Sequence, residues 1–495
     1  MDHLRTSLDR RHSGRRPLNF VPPTVRQVKI LIWIYFWLLI FEGALRKWVV
    51  PALSDPLLIV RDPVVLLIYF QAIRGGFFPQ HWLVKTMIGL GAFTFVWGCM
   101  HIYGGSYLDL IVSAYGVRTF FLHLPLIFIM GHVFTRDDVL KMGKWILLLS
   151  IPMAALMAMQ YKVSPTHFLN RSTTGDEGGQ LLAALGHVRP PGTFSFITGP
   201  AVFYPLVTVF LVMGIMHPRI YRKWLIIAAA VATALVLPVS GSRSLVLASA
   251  IVMFFAGGAL IRNPRFLPRF TIWAVVIVIG GGTVLALPVG QRAIESFSTR
   301  WNAAMDVEGQ GEGADVAIIR RVGGGFTEVF KYLPNIPAAG YGIGAGTNVG
   351  SKLKTGGLVF LMGEGEWMRV VMEAGPFLGF TYIGFRITLA FYLLWAAWRR
   401  MLAGDPLAWL LMACAFIVLV IGQTSQATNL GFMALISGLA LAATGAVQRR
   451  KVMSENQRRF LAQRARQRQV VREQPPRSGP EIDDRPLPEG VLRPR

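Results

Sequence analysis

Long apolar runs alternate with short polar segments along most of the chain. A transmembrane helix needs about 20 mostly apolar residues, and by that measure the pattern predicts about twelve such helices. Their expected positions are 29–45, 57–73, 82–102, 117–134, 143–161, 197–216, 224–239, 244–261, 271–288, 376–397, 407–423 and 430–447. We therefore expect an all-α polytopic membrane protein, in which residues 103–116 form a re-entrant or interfacial piece.

The longest interval between apolar runs covers residues 289–375, and we expect it to be a large loop with short helices. Function concentrates on loops that a rigid scaffold holds in place, so this loop is the candidate active site. The predicted organisation is a basic N-terminus (1–28), a bundle of about nine spans (29–288), the large loop (289–375), three C-terminal helices (376–447) and a basic, Pro-rich, partly disordered tail (448–495).

The composition agrees with a membrane protein, because 53% of the residues are hydrophobic and only 15% are charged. The net charge of +24 comes mostly from basic residues at the two ends and in short loops. That distribution indicates membrane topology rather than nucleic-acid binding. An even number of spans then places both termini in the cytoplasm and the large loop in the periplasm, with only Arg46 and Lys47 running against the assignment.

Alternating glycines in the large loop raise the question of nucleotide binding. The segment GYGIGAG begins with Gly340, Gly342 and Gly344, but no phosphate-binding signature accompanies it. These glycines form either a flexible turn or a backbone that approaches an anionic ligand closely. The histidines (His101, His123, His132, His167 and His187) lack metal-ligand spacing, so we expect no metal and no cofactor.

Arginines on the predicted outward side are the strongest chemical signal. They are Arg118, Arg189, Arg243, Arg320 and Arg321. The positive-inside rule disfavours them there, so topology does not explain their presence. Guanidinium groups bind phosphates through paired hydrogen bonds, and several together suit a diphosphate. The alternative is that each arginine pairs with a carboxylate or a lipid headgroup.

Carboxylates at the end of the loop complete the candidate set. Glu364 and Glu366 precede an apolar helix that contains Glu373. A carboxylate at a membrane surface beside a bound phosphate suits a general base. Glu366 is equally well explained as an acid that stabilises a helix N-terminus.

Four segments, in this order, resemble the O-antigen ligase and polysaccharide polymerase superfamily of bacterial membrane glycosyltransferases. They are RPPGTFSFITGP (Arg189–Pro200), SGSRSLVLA (Ser240–Ala248), RRVGGGFTEVFKYLPNIPAAGYGIG (Arg320–Gly344) and EGEWMRVVMEAGPFLGFTYI (Glu364–Ile383). The resemblance implies that Arg243 holds a lipid-linked diphosphate. It also places a catalytic histidine nine residues before Glu373, where this chain has Glu364. That departure favours a polymerase over a ligase.

The resemblance implies a metal-independent, inverting glycosyltransferase of the GT-C type in the bacterial inner membrane, with its active site facing the periplasm. It would polymerise undecaprenyl-diphosphate-linked oligosaccharide units into exopolysaccharide or O-antigen. Glu364 or Glu366 would be the base, and Arg243 with Arg320 or Arg321 would hold the diphosphate. The expected partners are a lipid-linked glycan donor, a glycan acceptor and membrane lipids. Chain-length regulator and export proteins are further candidates, and nucleic acid is not expected.

Two alternatives stay open at this stage. A ligase would transfer the lipid-linked glycan to lipid A core or to another acceptor. A transporter of a glycolipid or an anionic solute would also have many helices and outward arginines. Against a transporter, the sequence has no repeated half and no pair of Gly/Pro-broken spans in equivalent positions.

Overall fold

Most of the described chain is helical. The structure, a computed structural model, describes residues 22–100, 107–173, 187–286, 288–309, 327, 329–355 and 365–445. The first helices are α1 (Pro23–Ala44), α2 (Asp62–Arg74), α3 (Trp82–Met100), α4 (Tyr107–Val117), α5 (Leu124–Val133), α6 (Arg136–Lys162), α7 (Thr198–Met216) and α8 (Lys223–Val239). They are followed by α9 (Arg243–Arg262), α10 (Leu267–Leu285), α11 (Pro288–Gly309), α12 (Asn348–Thr355), α13 (Glu366–Leu402), α14 (Leu407–Ile421) and α15 (Ala427–Thr444).

The described residues contain 8 helices long and apolar enough to cross a membrane. The bent pair Pro51–Leu57 and Asp62–Arg74, with an angle of 41°, raises that number to 9. Two shorter apolar helices, α8 and α14, also coincide with predicted spans. The expected all-helical polytopic architecture is thus confirmed for the described part of the chain, while the number of twelve spans stays a prediction.

Three helices, α5, α7 and α15, form the centre of the bundle and are buried on nearly every side. Small residues allow them to pack closely. A Cβ at Gly131 would approach the Leu441 side chain to 2.6 Å, and a Cβ at Gly438 would approach the Met130 sulfur to 2.6 Å. Membrane helices commonly associate through such small residues.

Two π-helical turns interrupt the regular helices at positions that carry cations. Leu45–Val49 extends α1 and contains Arg46 and Lys47, and Arg118–Leu122 connects α4 to the short link before α5. Single π-helical turns often occur at functional sites. In this structure they place long basic side chains inside the bundle.

Helix α13 is broken at Gly375. Gly375 has φ 80° and ψ 165°, so Glu366–Ala374 forms one segment and the helix resumes at Pro376. Proline has no N–H and therefore removes one helix hydrogen bond, and glycine tolerates the positive φ. The sequence pattern predicted a span that begins at residue 376, in agreement with this break.

The large loop contains a longer helix than expected. Helix α11 has 22 residues, where the sequence pattern predicted only short helices between 289 and 375. It packs against α8 and buries Ala293 and Ser296, which are three positions apart on one face. Among the described side chains of this helix only a narrow stripe is buried, and an apolar-run search misses such a helix because polar residues separate its apolar ones.

Ion pairs between different helices occur at two ends of the bundle. At one end, Lys29 pairs with Asp138 at 2.6 Å and Arg136 pairs with Asp405 at 2.7 Å. The other end, where α1 and α14 finish and α13 and α15 begin, is called the site end below. The two pairs place the starts of α1 and α6 and the loop before α14 at one of these two ends. Their assignment to cytoplasm and periplasm stays a prediction.

Candidate functional site

The buried charges of the described residues all lie toward the site end. Nine charged residues are buried there, and the side chain of Arg118 is 10% exposed. The cations are Arg46, Lys47, Arg61, Arg118, Arg369 and Arg386, and the carboxylates are Glu42, Asp62, Glu366 and Glu373. Burying a charge is costly unless a partner compensates it, so the partners of these groups define the site.

Glu366, the first residue of α13, is held by two arginines. Arg369 donates to Oε1 at 2.9 Å and to Oε2 at 3.1 Å, and Arg386 donates to Oε1 at 2.7 Å. Thr424 donates a further hydrogen bond to Oε1 at 2.7 Å. Both carboxylate oxygens are therefore engaged, and Glu366 positions the two guanidinium groups.

Arg386 also caps the end of α14. Its guanidinium donates to the carbonyl oxygens of Leu419 at 2.7 Å, Val418 at 3.2 Å and Gly422 at 2.9 Å. The last carbonyls of a helix have no partner within that helix, and a cation there also interacts favourably with the helix dipole. Arg386 thereby ties the turn after α14 to Glu366.

Glu373 binds the glycine-rich segment that sequence analysis singled out. Its Oε2 accepts a hydrogen bond from the Gly344 N–H at 3.1 Å, and its Oε1 accepts one from the Gly346 N–H at 3.0 Å. Arg369 donates to the same Oε1 at 2.9 Å. Two backbone N–H groups and a guanidinium thus surround one buried carboxylate.

The break in α13 is the second attachment point of this segment. The N–H groups of Tyr341 and Gly342 donate to the carbonyl oxygens of Met372 and Glu373 at 2.7 and 3.2 Å. These carbonyls lie in the last turn before the break, where helix partners are missing. The segment therefore replaces hydrogen bonds that the helix cannot make.

The glycines are required by this arrangement. Gly340, Gly342 and Gly344 have φ values of 78°, 113° and 84°, a region that glycine favours. A Cβ at Gly340 would collide with backbone atoms of Gly375 and Glu373. One of the two sequence-based interpretations was a backbone whose N–H groups approach an anionic oxygen, and the other was a flexible turn. In the structure that oxygen belongs to Glu373 of the same chain.

A second network surrounds Asp62 at the start of α2. Arg118 donates to both carboxylate oxygens, at 2.6 and 2.9 Å, and His123 Nε2 lies 3.0 Å from Oδ1. The other ring nitrogen of His123 lies 2.8 Å from the Tyr35 hydroxyl. A Tyr–His–Asp–Arg chain of contacts therefore crosses the bundle from α1 to the π-helical turn.

Glu42 extends this network along α1. It pairs with Arg61 at 3.0 Å and with Arg46 at 3.7 Å. Arg61 also donates to the carbonyl oxygen of Ala427, and its guanidinium lies 5.6 Å from the ring centre of Tyr35. Thr424, in the turn between α14 and α15, donates to Glu366 of the first network. The turn and the start of α15 therefore contact both networks.

Phe120 forms a further link between the networks. Arg369 lies over its ring at 5.2 Å, and the Tyr382 hydroxyl donates to its carbonyl oxygen at 3.0 Å. Since Phe120 follows Arg118 by two residues, the π-helical turn contacts α13 directly.

The segment Arg189–Pro200 packs against the end of α1. Lys47 donates to the carbonyl oxygens of Gly192 and Phe194 at 2.7 and 2.9 Å. Arg46 donates to the Ser195 hydroxyl at 3.0 Å. Hydrogen bonds to an ammonium group hold this irregular segment in place.

The predicted site residues are only partly brought together. Glu366 is linked to the glycine segment through the hydrogen bond between Arg369 and Glu373. Gly344 of that segment packs against the backbone of Gly116, which precedes Arg118 by two residues. Arg243 begins α9 at the site end, and Arg189 lies half-buried before α7. Glu364, Arg320 and Arg321 lie outside the described residues.

Sequence reasoning missed several members of the two networks, among them Glu42, Arg369 and Arg386. Each is an ionisable residue in or beside an apolar run, which is a signal that usually marks function or pairing. The glycine N–H groups and Arg369 are occupied by Glu373 and Glu366, whereas the Nη1 atoms of Arg61 and Arg118 are buried without a hydrogen-bond partner. No protein family, curated protein or solved structure matches the chain.

Proposed function

We propose that the protein is a membrane glycosyltransferase that joins oligosaccharide units carried on a polyprenyl diphosphate, undecaprenyl diphosphate by resemblance. The observation that carries the proposal is that Arg243 begins α9 at the same end of the bundle as the buried charges. Among the described residues, five buried cations and the nearly buried Arg118 lie there with four buried carboxylates. An excess of buried positive charge favours an anionic ligand.

A diphosphate diester is the proposed ligand because it carries two negative charges that guanidinium groups bind well. Arg243 is the first candidate donor, since it begins α9, where the helix dipole also favours anions. Arg189 and one of Arg320 and Arg321 are the further candidates. Cations near the diphosphate would stabilise it as a leaving group.

In the proposed reaction an acceptor hydroxyl attacks the anomeric carbon of the donor sugar. The bond between that carbon and the diphosphate oxygen breaks, and a carboxylate takes the hydroxyl proton. Both oxygens of Glu366 are already engaged by Arg369, Arg386 and Thr424. Glu364 is therefore the preferred base, and Glu366 is a positioning residue.

The first experiment deletes the gene and measures the size of lipid-linked and surface glycans. A polymerase predicts that single lipid-linked units accumulate. Accumulation of full-length lipid-linked polymer would instead support the ligase alternative. Unchanged glycans would contradict both enzymes.

The second experiment compares two arginines of α9 in the purified protein. Arg243→Ala should abolish polymerisation of a lipid-linked donor, because Arg243 is assigned to the diphosphate. Arg262→Ala is the matched control, since Arg262 is exposed at the opposite end of the same helix. Full activity of Arg243→Ala would contradict the proposed diphosphate site.

A transporter is the second candidate, and the Asp62 network is the observation that favours it. Ion pairs buried inside spans, such as Arg118 with Asp62, are common in transporters. Uptake or flipping of a labelled glycolipid by reconstituted protein, without any change in glycan length, would favour this alternative.

A further inference from the structure

An apolar cavity lies between α2, α3, the second π-helical turn and α5. Its volume is about 220 Å³. Its lining includes Tyr69, Met87, Ile88, Arg118, Phe121 and Pro125. Apolar cavities of about 150 Å³ already bind benzene, so this one has room for part of a hydrocarbon chain.

Arg118 is the charged group of the cavity. Two of its nitrogens bind Asp62, whereas its Nη1 is buried without a hydrogen-bond partner. The other polar side chain in the lining, Tyr69, has its hydroxyl hydrogen-bonded to Leu122 and Leu126 at 2.5 and 3.1 Å. A buried donor without a hydrogen-bond partner is costly, and a ligand oxygen that accepted a hydrogen bond from Arg118 would remove that cost.

The cavity reaches the outer surface of the bundle. Ile88 is 53% exposed although it lines the cavity, and Leu66 and Phe70 on α2 are exposed to a similar degree. All three lie on helices that belong to candidate membrane spans. A ligand would therefore enter sideways from the hydrocarbon region of the membrane.

The charge around Arg118 limits the headgroup. The Asp62 network contains three arginines, Arg46, Arg61 and Arg118, and two carboxylates, Glu42 and Asp62. Its net charge is therefore one positive, apart from His123. One phosphodiester balances that charge, whereas the two charges of a diphosphate exceed it.

We propose that this cavity binds one anionic phospholipid of the surrounding membrane. The phosphodiester accepts a hydrogen bond from Arg118, and the upper part of one acyl chain lies along Phe121 and Met87. Basic pockets between membrane helices on the cytoplasmic side bind anionic lipid headgroups, and Arg118 offers the same chemistry at the site end. The site is separate from the proposed diphosphate site at Arg243 and does not depend on the proposed reaction.

Native mass spectrometry tests the proposal on the full chain in mild detergent. Supplied with equal amounts of phosphatidylglycerol and phosphatidylcholine, the protein should retain one lipid molecule. It should prefer phosphatidylglycerol by about fivefold, the preference expected from one nearby cation. Equal retention of the two lipids would overturn the proposal, as would a co-purified polyprenyl phosphate that phosphatidylglycerol does not displace.

Two glycines of α3 provide a matched pair of variants. Gly91→Leu fills the cavity, because Gly91 lines it beside Phe121. Gly89→Leu adds the same side chain where nothing lies within 4 Å of the new Cβ. We expect loss of the retained lipid in the first variant and normal retention in the second. Retention by Gly91→Leu at the wild-type level would contradict the proposed site.

A charge variant separates the headgroup contact from the apolar contact. Arg118→Gln alone would leave Asp62 without its arginine, so it is combined with Asp62→Asn to keep the pair neutral. The double variant should still retain a lipid but lose the preference for phosphatidylglycerol. An undiminished preference would show that Arg118 does not recognise the phosphate.

Discussion

Replacing Glu373 by glutamine should remove one of the two attachments of the glycine-rich segment to α13. The carboxylate accepts hydrogen bonds from Gly344, Gly346 and Arg369, and it is completely buried. An amide of the same shape has only one oxygen and adds an NH₂ group. In Glu373→Gln this NH₂ group would face N–H donors and find no acceptor among them.

The size of the effect follows from the groups left without partners. Each buried polar group without a hydrogen bond costs about 1–3 kcal/mol. Removing one member of a buried ion pair costs about 3–5 kcal/mol in total, but Arg369 retains Glu366. We therefore expect the free energy of unfolding to fall by about 3 kcal/mol.

Two measurements check this expectation. Titration with a denaturing detergent gives the change in unfolding free energy, and hydrogen exchange reports on individual amides. The Gly344 and Gly346 amides should lose protection, whereas those of Tyr341 and Gly342 still bind carbonyl oxygens. Glu295→Gln is the control because Glu295 is exposed on α11. Wild-type stability and unchanged protection in Glu373→Gln would refute the reasoning.

Three further predictions concern the helices and their orientation. Gly375→Ala should destabilise the protein by about 1–3 kcal/mol, because Gly375 has a positive φ. Gly384→Ala on the same helix is the control, since nothing lies within 4 Å of its new Cβ, and it should leave the stability unchanged. Thermal unfolding in detergent compares the two variants. Thr135→Ala should cost about 1 kcal/mol, since the Thr135 side chain caps α6 in a capping box, and detergent titration measures this loss. Asp55→Cys should react with a membrane-impermeant thiol reagent from the periplasmic side and Arg222→Cys should not; the reverse result would contradict the predicted orientation.

The sequence predicted the all-helical, polytopic architecture because membrane insertion depends on local averages. A run of about 20 apolar residues is a sufficient signal in itself. The break before Pro376 was also predictable, since glycine followed by proline ends a helix by local geometry. Helix α11 was missed because only one narrow face of it is buried.

The pairing of charges was not predictable from the sequence. Arg118 is 56 residues from Asp62, and Gly344 is 29 residues from Glu373. Many carboxylates were available as partners for each arginine, and only the packing of the helices selects one. The sequence therefore identified Arg118 and Gly344 as candidate anion-binding groups, but it did not identify the anion that each of them contacts.

These pairings also decide how the site end is interpreted. If the buried charges served only to hold the helices together, equal numbers of cations and carboxylates would suffice, and apolar side chains would often serve as well. Glu366 and Glu373 with Arg369 and Arg386 form such a balanced set. The positive excess comes instead from the Asp62 network and from Lys47, which binds carbonyl oxygens. An anionic ligand is therefore expected beside the π-helical turns, while α13 provides the rigid frame that keeps the arginines and the glycine segment in place.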